Sequence, residues 1–336
     1  LTFFPFSIIR PAMDISGVFS IFRDDLRRAE EWMERSLESE VSLIPEIGRH
    51  LIGGGGKRFR PLLLLASARL CGYEGEKRYP FCAVIEFIHT ATLLHDDVID
   101  EAQTRRGKTS ANHIWGNAAS VLVGDYLYSK AFQLMKDYGD MRIIGILAET
   151  TNAMAEGEVF QLMKCGDPKL TEEDYLAIID RKTARLMRAA ASIGACLAEV
   201  PPYLIDAVSE FGLHIGYAFQ IVDDTLDYTA KEDTFGKAVG KDLQEGKITL
   251  PLIRTLAMCR DEERAFVSSQ IMNRFKEVPD EKAIMALVLG YDGIPYALSV
   301  ARRHVEKGIG ALGAFPPGPA RETMEAIAYF TIERTM

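Results

Sequence analysis

Apolar positions recur along this chain at three- and four-residue spacings, in segments long enough for helices of several turns. Arg23 to Leu37 alternates charged and apolar residues, with Trp32 and Met33 on its inner side. Pro45 opens a short helix from Glu46 to Leu51, and Leu62 to Leu70 is nearly all apolar, as a buried helix would be. Ala118 to Met135 and Ile143 to Met163 read as long core helices. Thr171-Glu172-Glu173-Asp174 has the acidic first turn of a helix, which is expected to carry Lys182 and Thr183 and continue to Leu197. Pro201-Pro202 breaks it, and Tyr203 to Asp227 forms the next. Helical pairs divided by Pro279 and by Pro316-Pro317-Gly318-Pro319 complete the chain, and no stretch shows the period-two alternation of a strand. The pattern predicts an all-α fold, a bundle of long helices forming one domain over 13–336. Residues 1–12 are apolar with Arg10 as their only charge, and are expected to be a disordered or upstream extension; a signal peptide would begin with charge.

One apolar segment ends in a knot of carboxylates. His89 to Asp100 has no Gly or Pro, and helical geometry puts Asp96 and Asp100 one turn apart on one face with Asp97 beside them. Carboxylates so placed repel one another unless something positive lies between them. Arg105 and Arg106 follow; they would either neutralise the cluster or hold phosphate. A single Asp-Asp-x-x-Asp is most simply a solvated helix end. A second, Asp223-Asp224-Thr225-Leu226-Asp227, closes another Gly-poor apolar helix. Together they look like two walls that grip a diphosphate through Mg²⁺.

Two glycine-rich stretches flank these helices. Gly53 to Gly56 is followed by Lys57, Arg58 and Arg60, which suits close backbone approach to an anion; a flexible linker is the plainer reading. A nucleotide-binding loop would need Ser or Thr after Gly-Lys, and Arg58 stands there. Gly236-Lys237 to Lys247 is placed to close over the second cluster. The 336 residues are 48% hydrophobic and 26% charged, enough for a large core. The net charge of −9 argues against nucleic acid as partner. Five scattered cysteines without a Cys-x-x-Cys pair suggest reduced thiols in the cytoplasm, and no apolar run is long enough to span a bilayer.

In this order the motifs resemble the trans-isoprenyl diphosphate synthases, or polyprenyl synthetases. The resemblance is carried by Gly55-Gly56-Lys57-Arg58-Phe59-Arg60-Pro61, by Leu94-His95-Asp96-Asp97-Val98-Ile99-Asp100 with Arg105-Arg106-Gly107, and by Lys182-Thr183. It continues through Phe219-Gln220-Ile221-Val222-Asp223-Asp224-Thr225-Leu226-Asp227 and from Gly236-Lys237 to Pro251, covering residues 50 to 255. It implies an isoprenoid-synthase-type bundle around a central cavity, and a transferase that joins an allylic diphosphate to isopentenyl diphosphate. Mg²⁺, about three ions per site, would be held by Asp96, Asp100 and Asp223, with Asp97, Asp224 and Asp227 as direct or water-mediated ligands. Arg105, Lys182, Lys237 and Lys247 would complete the cradle of the allylic diphosphate, and Thr183 and Gln220 would stabilise the allylic cation. Lys57, Arg60, His89 and Arg106 would hold isopentenyl diphosphate. The role of His95 stays open.

The stretch from Ile85 to Thr92 is most like the long-chain, octaprenyl-type bacterial enzymes that make quinone side chains. Ala91 and Thr92, one turn before Asp96, would face an apolar tunnel without blocking it. Phe132 and Met135 are candidate stops, though core packing explains each equally well. The central expectation is about eight isoprene units, about C40. A shorter-chain synthase, a terpene cyclase and a subunit of a two-component synthase are the alternatives. The family also implies a homodimer with loose membrane association for product release.

Overall fold

The computed structural model describes residues 13–54, 58–229, 240–273 and 280–333. Lys57, Lys237, Pro279 and residues 1–12 lie outside the described residues. The chain is helical nearly throughout. α1 (Ile15–Ile21), α2 (Arg23–Ser36), α3 (Leu43–Ile52) and α4 (Phe59–Leu70) lead into α5 (Arg78–Ile99). After α6 (Ala111–Trp115) come α7 (Asn117–Tyr138), α8 (Met141–Lys164), α9 (Glu172–Ile179), α10 (Arg185–Leu197) and α11 (Pro202–Leu226). The remainder is α12 (Lys241–Gln244), α13 (Leu250–Met258), α14 (Asp261–Asn273), α15 (Glu281–Gly290), α16 (Gly293–Ala311) and α17 (Pro319–Glu333).

α5 is the central element. It is apolar on nearly every side, as a helix surrounded by others must be, and Tyr79 through Ile88 are all buried. It packs on α2, α4 and α7, while α10 packs on α4 and α11, and α11 packs on α16. Where backbones approach most closely, glycine makes the room. A Cβ on Gly194 would lie 2.5 Å from the Leu64 carbonyl of α4. No single helix among the described residues is long and apolar enough to cross a membrane.

Three local features depart from the sequence pattern. First, the helix expected from Thr171 to Leu197 is interrupted. Thr171 caps it, with reciprocal hydrogen bonds between Thr171 and Asp174. Asp180–Ala184 then winds as a π-helical turn, and this turn carries Lys182 and Thr183. A π-turn inserts an extra residue and widens the helix. Gly157 of α8 and Gly216 of α11 accommodate it: their added Cβ atoms would meet Arg181 Cβ and Ala184 Cα, each at 2.5 Å. Second, a two-stranded hairpin, β1 (Thr104–Arg105) with β2 (Lys108–Thr109), was too short to register as alternation. Arg106 and Gly107 both have positive φ, 51° and 75°, as a two-residue hairpin turn of matching twist requires.

Third, α5 ends without glycine. Ala102 N donates to the Asp97 carbonyl at 2.9 Å and Glu101 N to that of Val98 at 3.4 Å, while Glu101 takes the left-handed conformation at φ 49°. The two candidate stops also separate. Met135 is buried, but Phe132 is 47% exposed and so cannot be a stop inside this chain's own interior.

Candidate active site

Both acidic clusters stand at helix C-termini. α5 stops at Ile99 and α11 at Leu226, so the six carboxylates crowd the last turns and the residues just beyond. There the helix dipole adds about half a negative charge, which makes each cluster still more dependent on cations. The structure answers that demand differently for each member.

Asp97 is fully buried and turned into the protein. Arg105, reaching back from the hairpin, donates Nε to its Oδ1 at 2.7 Å and holds Nη2 2.6 Å from the same oxygen as an ion pair. Asn112 Nδ2 donates to its main-chain carbonyl at 3.0 Å. Burial alone would lower the Arg105 pKa, but the contact with Asp97 holds it above the ordinary value. Arg105, expected in the diphosphate cradle, thus also neutralises a carboxylate. Asp224 is also buried. Its Oδ2 accepts from Tyr175 Oη at 2.6 Å and its Oδ1 from Gln220 Nε2 at 2.7 Å. Burial pushes its carboxyl up to about 7, against the pull of those two donors and with the push of Asp223 and Asp227. Asp227 Oδ2 accepts from the Asp242 amide at 3.1 Å.

Asp96, Asp100 and Asp223 are placed otherwise. Lys182 Nζ lies 3.5 Å from Asp96 and 3.0 Å from Glu158. Burial would lower its pKa, and these two carboxylates raise it above the ordinary value. Lys247 Nζ lies 2.8 Å from Asp100 and 2.6 Å from Glu245. Its segment is tied down by Gly166 N donating to the Gly246 carbonyl at 2.9 Å and Cys165 Sγ to that of Glu245 at 3.1 Å. Asp223 makes no side-chain hydrogen bond among the described residues, but its charge is felt by Arg60 and Arg106. The adjacent Thr183 donates to Gln220 Oε1 at 2.7 Å. One π-turn therefore touches the first cluster through Lys182 and, through Thr183 on Gln220, the helix that carries the second.

These donors fit a small hard cation. All are carboxylate oxygens, and ammonium groups already stand beside two of them. Asp97 Oδ2, buried without a partner, is a further unsatisfied oxygen. Among the described residues no three acidic or histidine side chains converge on one point, so a bound ion would need oxygens from its substrate, the usual Mg²⁺ arrangement.

A second group is short of negative charge. Arg58, in the left-handed conformation at φ 48°, points inward to Glu30 at 3.0 Å and Glu86 at 3.4 Å. Arg60 is half-buried with an unpartnered Nε, and burial brings its pKa down to about 10, with neighbouring Arg106 adding to the fall. Arg105, Arg106 and Lys108 line a cleft with His50, Leu51, Gly54 and Leu93. His89 is held neutral, well below its ordinary value, by burial and by Arg60, Arg106, Arg105 and Arg58. Such a group is built to receive an anion. His95 is a packing residue, its Nε2 3.3 Å from the Val121 carbonyl and 3.4 Å from Asp125, over Gly124.

Sequence reasoning missed Glu86, Glu158 and Tyr175. Glu86 had a signal: it is a charge inside an apolar run, three residues before His89 and so on the same helix face. Glu158 and Tyr175 acquire their roles only when other helices pack against them.

His89 should make itself visible through pH. The unfolded imidazole takes up a proton near pH 6.5, whereas the native one resists it, so acid favours unfolding. The wild type should lose about 1 kcal/mol relative to His89→Gln between about pH 7.5 and 5.5, measured by urea unfolding. A bound diphosphate should reverse this field, and calorimetry in buffers of different ionisation enthalpy should register proton uptake near pH 6. A stability difference that does not change with pH would contradict the assignment.

Comparison with known proteins agrees with this geometry. A model of the polyprenyl synthetase family matches residues 41–288. The chain is 39% identical to octaprenyl diphosphate synthase of Escherichia coli over 326 residues, covering 96% of this chain and 99% of that protein. A polyprenyl synthase from Caulobacter crescentus, solved with calcium and isoprenyl diphosphate, superposes with a TM-score of 0.92 at 40% identity, covering 97% of this chain and 99% of the other. A decaprenyl diphosphate synthase from Rhodobacter capsulatus gives 0.90 at 40%, covering 96% and 99%. Similarity extends at 32% identity to a geranylgeranyl diphosphate synthase of Sulfolobus acidocaldarius, covering 93% of this chain and 97% of that protein, so relatives of several product lengths share the frame. The chain belongs to the polyprenyl synthetase family, and it is a prenyltransferase that condenses isopentenyl diphosphate with an allylic diphosphate.

Proposed function

We propose that the enzyme is a long-chain, all-trans polyprenyl diphosphate synthase that extends an allylic primer to about eight isoprene units, for a quinone side chain. The observation that carries the reading is the π-turn, whose Lys182 and Thr183 reach the two acidic helices at once. Asp96, Asp100 and Asp223 would hold Mg²⁺, about three ions per site, with Asp97, Asp224 and Asp227 behind them. Bound there, the ions would neutralise the diphosphate as it leaves.

The chain's own residues do the rest. Lys182 and Lys247, with Lys237, bind the oxygens of the allylic diphosphate once their carboxylate partners are engaged elsewhere. The allylic C–O bond breaks and its electron pair leaves with the diphosphate. Thr183 and Gln220 stabilise the resulting cation. Isopentenyl diphosphate, held by Lys57, Arg60, His89 and Arg106, supplies the electron pair of the new C–C bond. The proton then lost goes to the departed diphosphate.

The long product is supported by Ala91, a small residue completely buried in α5 one turn before Asp96. A bulky side chain there would block growth, and alanine would not. The identity to synthases named for octaprenyl and decaprenyl products points the same way. Mass analysis of the dephosphorylated product from farnesyl diphosphate, isopentenyl diphosphate and Mg²⁺ should find about eight units. Ala91→Phe should shorten the product sharply at unchanged Mg²⁺ dependence. A wild-type product of three or four units, or unaltered length in Ala91→Phe, would overturn the open tunnel.

The enzyme is also proposed to be a homodimer. Leu122, Phe132, Met141, Val159, Leu162 and Met163 on α7 and α8 are exposed by 47 to 79%. That is more apolar surface than a monomer commonly leaves in water. Sedimentation should give a dimer at micromolar concentration, and Leu122→Glu should weaken it; a wild-type monomer would contradict the assignment.

A further inference from the structure

Tyr175 has no part in the chemistry above, yet it is tied to it. Its ring is 3% exposed, and its hydroxyl gives its one proton to Asp224 Oδ2 at 2.6 Å. Asp224 Oδ1 accepts from Gln220 Nε2 at 2.7 Å, and Gln220 Oε1 accepts from Thr183 Oγ1 at 2.7 Å. The four side chains come from two strips of backbone. α9 and the π-turn supply both ends, Tyr175 and Thr183, and α11 supplies Gln220 and Asp224 between them.

This relay has a direction. Both Asp224 oxygens act as acceptors here, so Gln220 turns its NH₂ toward Asp224 and its carbonyl away. Thr183 then gives its single proton to that carbonyl and keeps only lone pairs for anything else that approaches. The amide could be turned end for end with almost no change in shape. In that state its NH₂ would donate to Thr183, and the threonine would offer its proton outward. To an electron-poor allylic carbon the two states are opposites: acceptor oxygens stabilise it and a donated proton repels it.

We propose that Tyr175 is a positioning residue for prenyl transfer: by clamping Asp224, it fixes Gln220 and Thr183 in the polarity that presents only acceptor oxygens to the allylic cation. The inference rests on the prenyl-transfer reading of the site. It also gives Asp224 a role beside metal binding, because both its oxygens already hold protein donors. A Tyr that merely fills the core would need no hydroxyl at this place.

The test is Tyr175→Phe, which keeps the ring and removes the clamp. With farnesyl and isopentenyl diphosphates and Mg²⁺, kcat should fall about tenfold or more, with both KM values within about twofold of wild type. In a Gln220→Met background, where the relay is already cut, the same change should alter kcat by less than about twofold. An equal loss in both backgrounds would mean that Tyr175 supports only the fold, and would overturn the proposal, as would an undiminished kcat in the single variant. Should Tyr175→Phe fail to fold, the wild-type side-chain amide signal of Gln220 decides, identified by its loss in Gln220→Met. An amide proton shifted downfield and protected from exchange supports the clamp, and an ordinary, rapidly exchanging signal overturns it. A wild type that condenses nothing would overturn the prenyl-transfer reading itself, and the relay's chemical role with it.

Discussion

Six carboxylates at two helix C-termini are the constraint on which the rest of this structure depends. No fold would place them there without compensation, since dipole, burial and mutual repulsion all act against ionisation. Compensation is divided in two. Asp97 and Asp224 are turned inward onto protein donors, Asp97 through one oxygen onto Arg105 and Asp224 through both onto Tyr175 and Gln220. Asp96 and Asp100 are satisfied by lysine ammonium groups on flexible stems, Lys182 and Lys247, which are exchangeable. The first pair builds the walls, and the second leaves them able to receive a metal-bound diphosphate.

The π-turn is what connects the walls. An uninterrupted helix would set Lys182 and Thr183 in another register relative to α8 and α11. The extra residue is tolerated because Gly157 and Gly216 give up their side-chain space on either side of it. The arginine group is organised on the same principle, with Arg58 used up by Glu30 and Glu86 and Arg60 left wanting a partner. Two candidate anion sites of different character result: the acidic one would need metal to take a diphosphate, and the basic one would not.

Much of this was legible in the sequence. Long apolar segments bounded by Pro and Gly predicted helices within a few residues of their observed ends, and the repeated Asp-rich clusters marked the candidate site. What could not be read was the division of labour inside each motif. Arg105 and Arg106 are neighbours with the same side chain, yet a two-residue turn sends one to Asp97 and leaves the other among the arginines. Asp96 and Asp97 differ only by 100° around a helix, and that angle decides which is consumed by the protein. The π-turn has no composition of its own. Phe132 could not be told from a core residue because an exposed apolar residue and a buried one have the same sequence signature. The hydrogen bond from Tyr175 to Asp224 spans 49 residues, beyond the reach of any local pattern.

The central claim is that Asp96 and Asp223 hold one diphosphate between them through divalent cations. It is tested most directly by the affinity of inorganic diphosphate, measured by calorimetry with and without Mg²⁺ in the wild type, Asp96→Asn and Asp223→Asn. The account predicts wild-type binding that strengthens at least about a hundredfold with Mg²⁺, and the loss of most of that gain in each variant. Equal affinity without the metal, or a gain that survives in either variant, would contradict it.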